Sequence, residues 1–174
     1  MRRRTFLAVM GAGTLTGCNA LGGNSNFEEK NSGDAFTNVQ TPSGLGKGDT
    51  GTSARATLGK GQFTNLGFQL GEKSKMVVTG QVTKNAPIDL YIMTVNQYQE
   101  FKRKPNLIPS EAAAEGVTSI DISRRFSSGD YFLVFDNTSL GQTEPSGEAT
   151  VDFEFVLSGT GQNKNTNTTT TQTP

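Results

Sequence analysis

The chain has 174 residues, 16 of them basic and 16 acidic, with one cysteine and neither histidine nor tryptophan. Without histidine there is no Ser-His-Asp triad and no imidazole general base, and zinc, copper and haem sites lack their usual ligands. One cysteine excludes an intrachain disulfide, and a balanced charge lacks the basic footprint of a general nucleic-acid binder.

Arginines occupy positions 2–4, and a short apolar run, Phe6–Leu15, follows them, interrupted by Gly11 and Gly13. A membrane-spanning helix needs about twenty apolar residues, and glycine weakens a helix, so this stretch is too short and too broken to span. A positive start, a brief apolar core and small residues at the exit form the pattern of a cleaved secretory signal over 1–17. Cys18 comes next, and a lone thiol in an exported chain needs an explanation.

Arg3-Arg4-Thr5-Phe6-Leu7 resembles the twin-arginine export motif, and Leu15-Thr16-Gly17-Cys18 resembles the lipobox of prokaryotic lipoproteins. The resemblance implies that Arg3, Arg4, Phe6 and Leu7 address the precursor to the twin-arginine translocase. It also implies that cleavage falls before Cys18 and that the thiol carries a diacylglyceryl group. Two acyl chains give stable attachment to membrane lipid, so the expected location is the extracytoplasmic face of the cell membrane. The mature chain then keeps 13 basic and 16 acidic residues, a net charge of −3, which does not favour adsorption to anionic lipid by charge alone.

Residues 18–54 are rich in Gly, Asn, Ser and Thr, with Gly44, Gly46, Gly48 and Gly51 close together. Such composition reads as a flexible stalk. The competing reading takes Phe27, Phe36 and Val39 as marks of a short edge strand.

Residues 55–159 change character: apolar residues alternate, and Gly, Asn, Pro and Ser punctuate the gaps. Strands are expected at 55–58, 62–70 and 75–82, with Gly80 as a bulge, and at 88–94, where Ile88, Leu90 and Ile92 oppose Asp89, Tyr91 and Met93. Thr94 and Gln97 then form a capping box, with Met93 and Tyr98 placed as a hydrophobic staple. Tyr98 and Phe101 share a helix face, Lys102, Arg103 and Lys104 suit the helix C-terminus, and Pro105 stops the helix. Residues 105–116 read as a loop with one helical turn at Glu111–Glu115. Strand resumes at 118–126, 131–135 is apolar on both faces and therefore central, and Val151, Phe153, Phe155 and Leu157 alternate in the last strand. The expected fold is all-β: an antiparallel, jelly-roll-like sandwich of seven or eight strands with one short helix, followed by a disordered Asn/Thr-rich tail over 160–174.

Ser128-Gly129-Asp130-Tyr131-Phe132-Leu133-Val134-Phe135-Asp136-Asn137, together with the short helix carrying Tyr98 and Phe101, resembles the pre-peptidase C-terminal and GOLD-like β-sandwich modules of exported archaeal and bacterial proteins. The resemblance implies a non-catalytic appendage that mediates contacts. Twin-arginine lipoproteins abound in halophilic archaea, whose proteins are usually far more acidic than this chain.

Candidate chemistry is sparse. Asn137-Thr138-Ser139 and Asn167-Thr168-Thr169 are sequons, making Asn137 and Asn167 candidate glycan acceptors; the ordinary role of Asn137 is to form a turn. Asp136, Glu144 and Glu148 offer oxygen ligands for calcium, without EF-hand spacing. Asp89 and Glu100 sit on adjacent elements as a carboxylate pair, and the Lys102–Lys104 cluster offers charge to an anion. For each of these, solvated surface charge or helix-terminal stabilisation is a sufficient explanation, so no catalytic residue, metal ligand or cofactor is assigned. The expectation is a lipid-anchored module that binds another envelope protein through an exposed apolar or aromatic patch including Tyr91 or Phe132, and does not bind nucleic acid. The alternative is a solute- or glycan-binding lipoprotein, which needs a concave pocket.

Overall fold

The computed structural model describes residues 27–71, 74–85 and 87–159. The export motif, the lipobox with Cys18, Asn167 and the tail expected over 160–174 lie outside the described residues. The protein is an all-β sandwich of two five-stranded sheets. In chain order its elements are β1 (Glu28–Glu29), α1 (Ser32–Ala35), β2 (Phe36–Gln40), β3 (Thr50–Leu58), β4 (Gln62–Leu70), β5 (Lys75–Lys84), β6 (Ile88–Thr94), α2 (Val95–Arg103), β7 (Ala112–Val117), β8 (Ser119–Arg125), β9 (Gly129–Asn137) and β10 (Ala149–Ser158).

One sheet runs β1-β4-β9-β6-β7 and the other β2-β3-β10-β5-β8. Eight of these strands, β3 to β10, interleave as β4-β9-β6-β7 over β3-β10-β5-β8, which is the jelly-roll order. The remaining two, β1 and β2, add one edge strand to each sheet. All pairings are antiparallel except β1 with β4.

The main core lies between the sheets. Alternation along β10 sends Val151, Phe153, Phe155 and Leu157 inward, where they meet Leu90 and Ile92 of β6 and Leu133 and Phe135 of β9. A second apolar cluster covers the outer face of the first sheet: Phe63, Tyr91, Met93 and Val134 pack beneath Tyr98 and Phe101 of α2. Strand β9 is therefore buried on both faces, as its apolar run predicts. Strand β6 is too, although its alternation predicts a half-buried strand; α2 folds back over its second face. The capping box forms, with Thr94 Oγ1 accepting from Gln97 N and the Gln97 side chain accepting from Thr94 N.

Four elements depart from expectation. Residues 27–54 are not stalk: β1, β2 and the start of β3 pair into the sheets, and Phe36 packs against the core. A four-residue helix, α1, also forms there, capped by Asn31. Residues 112–117 form strand β7 rather than a helical turn; the edge of β6 offers backbone partners that outweigh the helix propensity of the alanines. Gly80 is not a bulge, since its pairing with Phe153 and Ile120 is in register. A Cβ there would lie 2.5 Å from Asp152 O and 3.0 Å from Phe153 Cα, so the glycine lets β10 approach closely.

Candidate functional site

Acidic groups are rare in apolar strands, and two of them meet here. Asp89 on β6 and Asp136 on β9 are register partners, so both side chains project to the outer face of the first sheet, one row beyond Tyr91 and Val134. Both residues are fully buried. Beside Asp89, β7 carries one extra residue, because Ile88 pairs with Val117 and Leu90 with Ala114. Gly116 takes the left-handed conformation in this bulge, φ 62°, and its N–H donates to Asp89 Oδ1 at 2.6 Å. The segment 138–147 folds over the pair: Thr143 Oγ1 donates to Asp89 Oδ1 at 2.7 Å, and Thr143 N donates to Oδ2 at 3.1 Å. Gly141 packs so tightly on Tyr91 Oη and Asp89 Oδ2 that no Cβ fits. Asp136 Oδ1 accepts from Thr138 N at 2.9 Å, while its Oδ2 is buried without a hydrogen-bond partner.

Burial pushes the Asp136 carboxyl up to about 6, against the lowering effect of its bonds from Thr138, and the charge of Asp89 adds to the rise. Burial, with the nearby acids Asp89, Asp136 and Glu115, also raises the Tyr91 phenol, whose hydroxyl donates to Glu115 Oε1 at 3.3 Å.

A second polar cluster fastens the N-terminal segment. Phe27 stacks on Phe63 at 4.6 Å between centroids and meets Phe101 edge-on at 5.2 Å. Next to it, Glu29 accepts from Tyr98 Oη at 2.5 Å and from Asn65 Nδ2 at 3.1 Å, and pairs with Lys102 at 2.6 Å. Lys102 is thus engaged with Glu29 and lies 5.3 Å over the Tyr98 ring.

Two concavities lie on the surface of the described residues. A groove of about 420 Å³ runs between β7 and β8, the free edges of the two sheets, lined by Ala112, Ala113, Ala114, Ile122, Ser123 and Arg124. Ala112, Ala114 and Ile122 belong to the rim of the main core and are only partly buried. An open hollow of about 370 Å³ lies on the outer face of the second sheet, over Arg55, Thr79, Asp152 and Glu154. There Arg55 and Asp152 form a two-bond ion pair at 2.7 and 2.9 Å.

The expected site residues are mostly placed apart. Asp136 is buried against Asp89, Glu144 is exposed, and Glu148 pairs with Lys84 at 3.0 Å; among the described residues no group of three acidic, histidine or cysteine side chains converges on a metal position. Asp89 is bonded to Gly116 and Thr143 rather than paired with Glu100. Asn137, the candidate glycan acceptor, is fully buried, and its Nδ2 lies 2.9–3.2 Å from the carbonyls of Leu58, Gly59 and Gly147. Tyr91 is buried, and Phe132 is partly buried with its ring packed against Tyr98 of α2 at 4.4 Å between centroids. Among the described residues, the exposed large apolar side chains are Val39, Val95 and Leu107. Among the described residues no helix is long and apolar enough to cross a membrane. No protein-family model matches the chain, and no curated protein matches it.

Proposed function

We propose that the protein is a lipid-anchored, extracytoplasmic β-sandwich that binds another envelope protein and carries out no catalysis. The twin-arginine and lipobox motifs support the location. The observation that supports protein binding is the β7–β8 groove: the outer edge strands of the two sheets flank a floor of Ala112, Ala114 and Ile122 beside the polar Asp121, Ser123 and Arg124. Such an edge suits an extended segment of a partner, which would add as a strand and place alternate side chains on that floor. Anchoring at Cys18 would leave residues 19–26 as the spacer before Phe27, a reach of at most about 30 Å. The clamp on Phe27 and Glu29 would then hold the sandwich near the bilayer in a fixed attitude.

A photo-cross-linking side chain at Ala113 or Ser123 tests this in intact cells. One dominant protein adduct at both positions, absent from a control at the exposed Lys47, is expected. No adduct, or the same products at Lys47, would contradict the reading. The alternative, a solute- or glycan-binding lipoprotein, would use the open hollow over Arg55 and Asp152, and ligand-induced shifts confined to that hollow would favour it.

A further inference from the structure

We infer that Asp136, opposite Asp89 in the buried row, keeps a proton on its Oδ2 and that this proton latches the 138–147 segment to the first sheet. Two carboxylates placed opposite each other in a buried row cannot both carry charge without a large penalty. Among the described residues, no lysine or arginine pairs with either. The hydrogen bonding decides where the proton resides. Both oxygens of Asp89 already accept, from Gly116 N, Thr143 N and Thr143 Oγ1. Of the four carboxylate oxygens of the pair, only Asp136 Oδ2 is buried without a hydrogen-bond partner, which places the proton there.

A bound cation suits the site less well. Calcium takes six to eight oxygens, whereas Asp89 is surrounded by donor hydrogens and Gly141 fills the space above it. The titratable groups around Asp136 are Asp89 and Tyr91 on β6 and Glu115 on β7. Strand β4 sets Phe63 against it, and the covering segment contributes amides and threonine hydroxyls, its Glu144 being exposed.

The start and the middle of the covering segment are tied to the two acids, Thr138 to Asp136 and Thr143 to Asp89. A second charge on Asp136 therefore loosens 138–147 first. Because folding raises the carboxyl of Asp136 above its unfolded value, the folded state binds the extra proton. That contribution is full below the ordinary carboxylate value of 3.8, declines as pH rises from there to about 6, and is lost above it.

Amide hydrogen exchange and thermal unfolding of the full chain between pH 5 and 8 test the latch. In the unmodified chain, protection of the 140–144 amides and the melting temperature should both fall as pH rises through this range. Asp136→Asn, which keeps shape and supplies a permanent donor, should abolish the fall and melt above the unmodified chain at pH 8. Infrared spectra should show a protonated carboxyl band at pH 5 that vanishes by pH 8 and is missing from Asp136→Asn; this readout does not depend on how stable the variant is. A pH-independent melting temperature, the same decline in Asp136→Asn, or no protonated band at pH 5 would overturn the proposal. So would restoration of stability at pH 8 by calcium and its loss with chelator, which would make the pair a cation site.

Discussion

Asp89 stands directly opposite Asp136 in the β6–β9 register, and neither side chain reaches solvent. This pair joins three parts of the molecule: the bulge at Gly116 in β7, the end of the central strand β9, and the segment that carries the chain from β9 to β10.

Asp89→Leu removes one acceptor from three donors at once, Gly116 N, Thr143 N and Thr143 Oγ1. Stranded buried donors each cost about 1–3 kcal/mol, so a loss of roughly 3–5 kcal/mol is expected from denaturant unfolding. Hydrogen exchange should place the damage at 116 and 140–144. A loss below about 1 kcal/mol would show that water replaces the carboxylate freely.

Phe101 ties the helix to the sheet. It is fully buried and meets Phe27 and Phe63 edge-on, each at 5.2 Å. Phe101→Ala should cost about 3–5 kcal/mol, and limited proteolysis should cut near 27–31 as Phe27 loses its partner. Protection of the N-terminal segment in that variant would mean that Glu29 alone is enough to hold it.

Asn137→Gln separates structure from modification. The longer amide cannot keep its place between Leu58, Gly59 and Gly147, so the melting temperature should fall by several degrees, equivalent to about 1–3 kcal/mol. The intact mass should change only by the substitution. Loss of a glycan mass would show that Asn137 is modified before the domain closes over it.

The acid limb has its own prediction. The hydrogen bond and charge of Arg55 hold Asp152 below its ordinary value, and Lys84 does the same for Glu148. Each lowered carboxyl adds stability above its unfolded value, and this is lost as pH falls through the folded one. Both pairs are exposed and screened, so the effect is small. Asp152→Asn with Glu148→Gln should flatten the melting curve below pH 4 and leave the decline near pH 6 intact, whereas loss of that decline would place it at the surface.

Much of the architecture is legible in the residues. Two-residue alternation in β10 and the doubly apolar β9 mark the sandwich, and Thr94, Gln97, Tyr98 and Phe101 mark the helix with its cap and buried face. What was not legible depends on pairing between distant segments. Phe27 and Phe36 sit in a polar, glycine-rich stretch whose composition reads as stalk; only the neighbouring edges of β4 and β3 order it. Ala112–Ala114 carry helix propensity, which the edge of β6 overrides. The acid pair left a faint trace, since period two puts Asp89 in line with Tyr91 and Asp136 in line with Val134. That both acids lie in one buried row follows only from the β6–β9 register. The groove carries no sequence signal, because it exists only where β7 and β8 end two different sheets.

The proposed presentation of this sandwich at the membrane surface rests on lipidation of Cys18. Mass spectrometry of the N-terminal peptide from detergent-extracted membranes tests that dependence most directly. Lipid anchoring predicts a peptide that begins at Cys18 with a diacylglyceryl mass on the thiol, lost together with membrane partition in Cys18→Ser. It also predicts accumulation of uncut cytoplasmic precursor when Arg3 and Arg4 are both changed to Lys. A soluble chain with an unmodified Cys18, or normal maturation without the twin arginines, would contradict it.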